Sequence, residues 1–192
     1  MESLTTEILL SAYTQGFFPM PEPETGEVLW YNPDPRAIIP LDGLHISRSL
    51  ERTLKRGHFN VTINRDFPAV IAACADRPET WINDEFKIAY TALHRRGFAH
   101  SIEVWQDGTL VGGTYGVSFA GVFCAESMFH RVTDASKVAL VHLVEHMKQQ
   151  GLALLEVQFV TDHLATLGAV QIPQATYLER LAEAMRLPVN FV

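Results

Sequence analysis

Three strand-like segments in a row, followed by one long helix and a further strand, constrain this fold more than any other feature. The turn residues Asp107-Gly108 and Ala120-Gly121 separate the three segments, so we expect an antiparallel meander. Residues 134–150 have helical spacing, and residues 152–160 have the composition of a strand. A meander, a crossover helix and a final strand predict an α+β fold, a mixed sheet with packed helices.

The same order of elements resembles the core of the acetyltransferase-like superfamily. That superfamily usually carries a Gly-rich loop for a pyrophosphate between the last meander strand and the helix. The corresponding residues here, HRVTDASK at 130–137, contain no glycine, so coenzyme A would have no Gly-rich cradle. The pattern indicates acyl transfer with a different acyl donor.

Composition narrows the class of protein further. The chain has 192 residues, 47% of them hydrophobic, which predicts one ordered domain with at most a small appendage. Its formal net charge of −7 excludes a generic polyanion binder, so any contact with nucleic acid needs a local basic patch. Cys74 and Cys124 lie in apolar runs and are expected to be buried free thiols. We find no signal peptide or membrane span, so we expect a cytoplasmic protein.

The remaining segments predict helices around this sheet. A short amphipathic helix, capped by Ser3 or Thr5 and stopped by Gly16, begins the chain. A connector rich in Pro and Gly and two short extended runs follow it. Residues 45–59 predict a helix that ends at Gly57.

That helix also carries a basic stripe. Its four cationic residues occupy positions i, i+4, i+7 and i+8, which lie on one face of a helix. They are Arg48, Arg52, Lys55 and Arg56. In an acidic chain this stripe predicts a landing site for phosphates, and the alternative is an ordinary solvated helix face.

A second candidate lies where the third meander strand meets the long helix. Thr133 or Asp134 can cap that helix, whose free N–H groups suit an anion or a carbonyl oxygen. Lys137 and Arg131 add positive charge beside the carboxylate of Glu126. The alternative is an ion pair between Glu126 and Arg131 with ordinary capping.

Two polar residues in the last strand form a third candidate. Glu156 and Gln158 alternate with apolar residues, so both are expected on one face of the sheet. Two large polar groups on a central strand indicate a cleft, and the alternative is an edge strand facing water. His142-Leu-Val-Glu145-His146 matches an inverted zinc-protease pattern but has no evident third ligand, so we expect no metal.

Eight motifs in order resemble the leucyl/phenylalanyl-tRNA–protein transferase family. They are GFFPMPEP, WYNPDPRAIIP, HISRSL, TWI, AYTALHRRGFAHSIEVW, LVGGTYGV, ESMFHRVTDASKVAL and HLATLGAVQIP. The match runs from about Ile8 almost to Val192. It implies a small N-terminal domain, residues 1–35, before an acetyltransferase-like catalytic domain, residues 36–192.

The resemblance implies transfer of Leu or Phe, and less readily Met, from aminoacyl-tRNA to a protein with N-terminal Arg or Lys. The product carries an N-end-rule degradation signal, and a monomer without cofactor or metal is expected. The rival interpretations are a coenzyme A-dependent N-acetyltransferase and a non-catalytic adaptor that binds tRNA or protein.

The resemblance also assigns residues. The catalytic group is Glu156, Gln158 and Glu126, and the basic stripe contacts the tRNA stem. Tyr31 and Trp81 are expected against the terminal adenosine. The donor pocket is lined by Thr114, Phe123, Met128, Leu140 and Leu155. The family usually has Asp where Glu156 stands, Met or Leu where Thr114 stands, and a longer N-terminal domain.

Overall fold

The computed structural model describes residues 4–22 and 24–192; Ser3, one of the two predicted caps, lies outside these ranges. Within them the chain forms seven α-helices and nine β-strands. The helices are α1 (Thr6–Thr14), α2 (Arg48–Arg56), α3 (Phe67–Ala75), α4 (Asp84–Arg95), α5 (Ala135–Gln150), α6 (Asp162–Thr166) and α7 (Gln174–Ala184). The strands are β1 (Phe18–Pro21), β2 (Val28–Tyr31), β3 (Arg36–Ile38), β4 (Asn60–Ile63), β5 (Ala99–Gln106), β6 (Thr109–Phe119), β7 (Val122–His130), β8 (Leu154–Gln158) and β9 (Val170–Ile172).

The central sheet is mixed, with strand order β4-β5-β6-β7-β8-β3-β9. Strands β7 and β8 are parallel, whereas the other neighbouring pairs are antiparallel. The predicted α+β fold, with a meander (β5 to β7), a crossover helix (α5) and a parallel strand (β8), is confirmed. Strand β8 lies between β7 and β3, so it is not the water-facing edge strand of the alternative interpretation.

Helices cover the sheet and bury two apolar cores. One core contains residues of α5 and α2, and the other contains residues of α1, α3, α4 and α7. Helix α5 approaches β6 closely because residue 112 is a glycine: a Cβ there would lie 2.5 Å from the Cβ of Ala135. This contact fixes the start of α5 beside the sheet. Both cysteines are buried free thiols, as predicted.

The N-terminal segment packs onto this body. Thr5 caps α1 by accepting a hydrogen bond from the backbone N–H of Ile8 at 3.3 Å, and α1 contacts α4. Strands β1 and β2 form a separate antiparallel pair. Strand β3, which begins at Arg36, pairs with both β8 and β9. The division into domains 1–35 and 36–192 stays a prediction.

Local capping residues set the ends of some helices, whereas some short elements were not predicted. Helix α2 begins after Ser47, whose hydroxyl accepts from the N–H of Leu50 at 3.2 Å, and it ends at Gly57 with φ of 64°. Helix α6 and strand β9 were not predicted, because elements of five and three residues carry little periodicity. Among the described helices, none combines the length and apolar character needed to cross a bilayer.

Candidate active site

A cavity of about 330 Å³ opens where the parallel strands β7 and β8 stop pairing. The last paired residues are Cys124 and Glu156. Beyond them, Glu126 on β7 and Gln158 on β8 both line the cavity. The sheet therefore holds polar groups from two central strands around one opening.

Gln158 connects the three predicted catalytic residues. The side-chain amide of Gln158 donates to Oε1 of Glu126 at 3.2 Å and to Oε2 of Glu156 at 3.1 Å. The backbone N–H of Gln158 donates to Oε1 of Glu156 at 2.6 Å. Gln158 has φ of 58°, which a non-glycine residue seldom adopts, so the bonds to Glu156 help to hold this conformation.

Arg36, which was not among the predicted site residues, lies behind this group. Its Nε donates to Oε1 of Glu156 at 2.8 Å, and both side chains are buried. The partners are 120 residues apart in the sequence, so no local spacing connects them. The available signal was the position of Arg36 inside the motif WYNPDPRAIIP.

The cluster holds two carboxylates and one cation. Burial raises the pKa of Glu126 to about 8, and the charge of Glu156 acts in the same direction. Burial also raises the pKa of Glu156, whereas the adjacent Arg36 opposes this shift. Burial opposes the charge of Arg36, but the carboxylate of Glu156 raises the pKa of Arg36 above its ordinary value. Glu126 therefore carries a proton on most molecules at pH 7.

Two buried tyrosines hold the other side of Glu126. The hydroxyl of Tyr90 donates to Oε2 of Glu126 at 3.2 Å, and it lies 2.5 Å from the hydroxyl of Tyr13. Burial raises the pKa of both tyrosines, so they remain neutral hydrogen-bonding groups. Glu126 is thus oriented by Gln158 on one oxygen and by Tyr90 on the other.

The predicted donor pocket is only partly assembled on the cavity wall. Thr114 and Met128 line the cavity, and so does Trp81, which was predicted against the terminal adenosine. Phe123, Leu140 and Leu155 lie instead in the apolar core that contains α5. Tyr31 stacks on Phe18, itself a lining residue, with ring centroids 6.0 Å apart. Alternation along a strand gives the face of a residue but not its distance from the opening.

The cavity wall also contains cationic and imidazole groups that were not predicted. Arg77 donates to the hydroxyl of Ser127 at 2.9 Å and to the carbonyl of Met128 at 3.3 Å, which fixes it beside β7. His163 follows β8 and lines the same cavity. Burial and the charges of Lys137 and His130 lower the pKa of His163. These residues show no diagnostic spacing in the sequence.

The start of α5 does not match the alternative interpretation, an ion pair between Glu126 and Arg131 with ordinary capping. Glu126 does not pair with Arg131, which instead lies 3.8 Å from a carboxylate oxygen of Asp76. Asp134 is at the N-cap position, but its carboxylate accepts from Thr53 at 3.1 Å and from Lys137 at 3.2 Å. The charge of Lys137 is therefore partly neutralised within the junction.

The basic stripe lies on α2 as expected. All four of its side chains, Arg48, Arg52, Lys55 and Arg56, are exposed. Lys55 pairs with Glu51 of the same helix at 2.7 Å. The exposed pair is weak, so Lys55 can exchange Glu51 for a phosphate.

The two histidines of the zinc-protease pattern contact other protein groups. His146 Nε2 lies 2.6 Å from the carbonyl of Phe191, and His142 lies 4.0 Å from Glu145. Across residues 4–22 and 24–192, no group of three His, Cys, Asp or Glu side chains is arranged to hold a metal ion.

Comparison with known proteins identifies relatives over nearly the whole chain. A family model described as leucyl/phenylalanyl-tRNA protein transferase matches residues 38–182, and a model of that family's N-terminal domain matches residues 2–34. A leucyl/phenylalanyl-tRNA–protein transferase of Ruegeria pomeroyi is 52% identical, over 98% of this chain and 90% of the relative. The protein of the same name from Gloeobacter violaceus is 50% identical over 98% of both chains.

Solved structures are more distant. A GCN5-related N-acetyltransferase from Kribbella flavida is 13% identical with a TM-score of 0.47, covering 74% of this chain and 55% of that one. L-PGS from Bacillus licheniformis is 15% identical with a TM-score of 0.45, covering 83% and 55%.

Proposed function

The chain belongs to the leucyl/phenylalanyl-tRNA–protein transferase family, and we propose that it moves Leu or Phe, and less readily Met, from aminoacyl-tRNA to acceptor proteins. The acceptor has an N-terminal Arg or Lys, and the product is marked for N-end-rule degradation. The observation that supports this most is the cavity with Glu126 and Gln158 on its wall and Glu156 behind them. A cytoplasmic monomer with domains 1–35 and 36–192 completes the proposal.

The chemistry begins with a donor that is already an activated ester. The acceptor α-amine, whose ordinary pKa is about 7.7–8.0, attacks the ester carbonyl. A C–N bond forms, and the C–O bond to the tRNA ribose breaks. One proton passes from the attacking nitrogen to the carboxylate of Glu126 and then to the departing ribose oxygen, so the proton count balances.

Glu126 suits this proton transfer better than Gln158 does. It lines the cavity, and its pKa of about 8 lies close to that of the attacking amine. A base is most effective when its pKa is near the working pH. A neutral amide is a very poor base, so Gln158 acts by position.

Gln158 and Glu156 set the geometry around Glu126. The amide nitrogen of Gln158 donates to both carboxylates, at 3.2 Å and 3.1 Å. Its amide oxygen is then the group that can accept a hydrogen bond from the incoming amine. Fixing a nucleophile near its target removes a large part of a reaction barrier.

The apolar part of the cavity holds the donor side chain in this proposal. Thr114 and Met128 contact it directly, because they line the opening. Phe123, Leu140 and Leu155 form the packed layer that supports the wall. Trp81 and Tyr31 offer flat rings for the terminal adenosine, and the α2 stripe meets the tRNA backbone.

The test is transfer of labelled Leu from Leu-tRNA to a peptide that starts with Arg. We expect labelled peptide without ATP, and loss of transfer when the charged tRNA is first digested with ribonuclease. The matched control is the same peptide with an acetylated α-amine, which keeps the side chain but removes the nucleophile.

Three outcomes would contradict the proposal. Labelling of the acetylated peptide would mean that the α-amine is not the acceptor. Acetylation of the Arg peptide from acetyl-coenzyme A, without transfer from Leu-tRNA, would favour an acetyltransferase. Binding of Leu-tRNA without any transfer would favour an adaptor.

A further inference from the structure

Arg36 is buried, and its guanidinium group contacts five other residues, among them Asn32, whose Oδ1 accepts from Nη1 at 3.5 Å. Nε donates to Oε1 of Glu156 at 2.8 Å, and Nη1 donates to the carbonyl of Gly16 at 2.8 Å. The group also lies over the rings of Phe18 and Tyr177, 4.7 Å and 4.4 Å from their centroids. These hydrogen bonds and the two ring contacts together fix the orientation of the guanidinium group.

This environment selects arginine over lysine. A guanidinium is planar, stacks on aromatic rings and donates in several fixed directions, whereas an ammonium is a compact point charge. Gly16 contributes because it ends α1 with φ of 85°, a backbone conformation that suits glycine. Its carbonyl is thereby available to Arg36.

Stability alone does not account for such a pair. Removing two charges from water is costly, and apolar replacements of buried ion pairs are often as stable as the original. The pair instead controls what lies next to it. Glu156 accepts both the backbone N–H and the side-chain amide of Gln158.

We propose that Arg36 is a positioning residue: it fixes the carboxylate of Glu156, which in turn holds the amide of Gln158 between Glu156 and Glu126. This inference rests on the proposed transfer reaction for its role in catalysis. It also means that the N-terminal segment, through Gly16 and Phe18, is tied to the catalytic group by one guanidinium.

The charge of Arg36 reaches Glu126 as well. Arg36 lowers the pKa of Glu126, against the opposing effects of burial and of Glu156. Loss of the cation should therefore raise the pKa of Glu126, provided that Glu156 keeps its charge. The pH at which transfer reaches its plateau should then rise.

Four variants test the proposal. Arg36→Lys keeps the charge without the planar contacts, and Arg36→Met removes both. The double variant Arg36→Met/Glu156→Gln removes both charges, so it leaves no unpaired buried ion and should recover thermal stability lost in Arg36→Met. Arg65→Met is the matched control, because Arg65 also lies over an aromatic ring, that of Trp105 at 4.4 Å, but is exposed and outside the cavity wall.

We expect kcat to fall about 100-fold in Arg36→Met and in the double variant, with KM for Leu-tRNA changed less than about threefold, because misplacement by about 1 Å can cost that much. Arg36→Lys should lose less, and Arg65→Met should transfer like the wild type. A double variant that is as stable as the wild type and transfers within about threefold of its rate would overturn the proposal.

A readout without turnover separates this inference from the proposed function. The side-chain amide signals of Gln158 in ¹H–¹⁵N spectra can be assigned by their loss in Gln158→Ala. We expect them to shift in Arg36→Lys and to stay in place in Arg65→Met. Unchanged signals in Arg36→Lys would refute the positioning role even if the wild type transfers. Shifted signals with no transfer by the wild type would support positioning while refuting the proposed reaction.

Discussion

Glu103 and Glu126, two carboxylates on the same sheet, differ in what surrounds them. Glu103 on β5 accepts hydrogen bonds from Ser101 Oγ at 2.5 Å, Thr62 Oγ1 at 2.7 Å and the N–H of Asp66 at 3.3 Å. Glu126 on β7 accepts one bond on each oxygen, both at 3.2 Å, and faces the cavity. Glu103 is the more deeply buried of the two.

The difference shows that burial of a carboxylate does not by itself mark a functional site. Glu103 is satisfied by short side chains of adjacent strands, which join β4 to β5. The hydrogen bonds to Glu126 are longer, and the cavity opens beside it. A substrate nitrogen can therefore donate a stronger hydrogen bond to Glu126 than its protein partners do. Accessible, incompletely used hydrogen-bonding capacity distinguishes Glu126, the carboxylate proposed as the base, from Glu103.

The largest expected effect comes from exchanging each carboxylate for its amide. Glu126→Gln should lower kcat about 10²–10⁴-fold, the usual worth of an acid–base group. Glu103→Gln should stay within about threefold of the wild-type rate, because Glu103 lies outside the cavity. Initial rates at saturating Leu-tRNA and Arg peptide measure both. Similar losses of kcat in the two variants would contradict a special role for Glu126.

The pH dependence of transfer sharpens the same contrast. Glu126, with a pKa of about 8, must be ionised to accept a proton, and the acceptor amine must be neutral. Both requirements make the rate rise with pH, so the limiting slope of log rate against pH should be about 2. Glu126→Gln should reduce it to about 1, and Glu103→Gln should leave it unchanged. A slope of about 1 in the wild type would exclude Glu126 as the base.

The exposed α2 stripe offers a contrast between binding and chemistry. Lys55→Glu with Arg56→Glu should weaken Leu-tRNA binding at least about tenfold and make its salt dependence shallower by about two charges. The kcat at saturating donor should persist. Arg180→Glu with Arg186→Glu is the control, with the same charge change at exposed positions on or just after α7. An equal loss of Leu-tRNA affinity in the control would mean that net charge, and not the α2 stripe, accounts for the effect.

Replacing the two carboxylates by amides should change the free energy of unfolding in opposite directions. The folded-state pKa of Glu126 is raised from 4.5 to about 8, so its contribution to stability is present below pH 4.5 and is lost as pH rises toward 8. Glu126→Gln should thus raise the free energy of unfolding at pH 7 by about 1–2 kcal/mol, a value reduced for partial solvent exposure. Glu103→Gln should lower it by about 1–3 kcal/mol. Urea unfolding measures both, and destabilisation by Glu126→Gln would contradict the raised pKa.

The smallest expected effect concerns donor selectivity. Thr114 is buried on the cavity wall and donates to the carbonyl of Ser127 at 2.9 Å. Thr114→Met should narrow the opening and reduce transfer of Ile relative to Leu by roughly tenfold, the scale of a methylene-sized difference. Competition between charged tRNAs measures it, with Thr109→Met, exposed on the same strand, as the control. No change in the Ile-to-Leu ratio would place the selecting contact elsewhere.

The sequence by itself predicted the order of elements except short ones such as α6 and β9, and it selected three residues that meet beside the cavity. Turn residues and periodicity predicted the meander, the crossover helix and the final strand, because these signals are local and repeat over many residues. Alternation along the last strand selected Glu156 and Gln158 as neighbours on one face. Glu126 was selected because we expected it near the end of the third meander strand, although β7 continues to His130.

Only the tertiary structure decided which groups meet. Arg36 reaches Glu156 across 120 residues, and Phe123, Leu140 and Leu155 are buried in the core while Thr114 and Met128 reach the cavity. The carboxylate of Asp134 does not cap α5 but accepts a hydrogen bond from Thr53 of α2. Local periodicity fixes the direction of a side chain relative to its own element. Its depth and partners depend on how separate elements pack, and that depends on the whole chain.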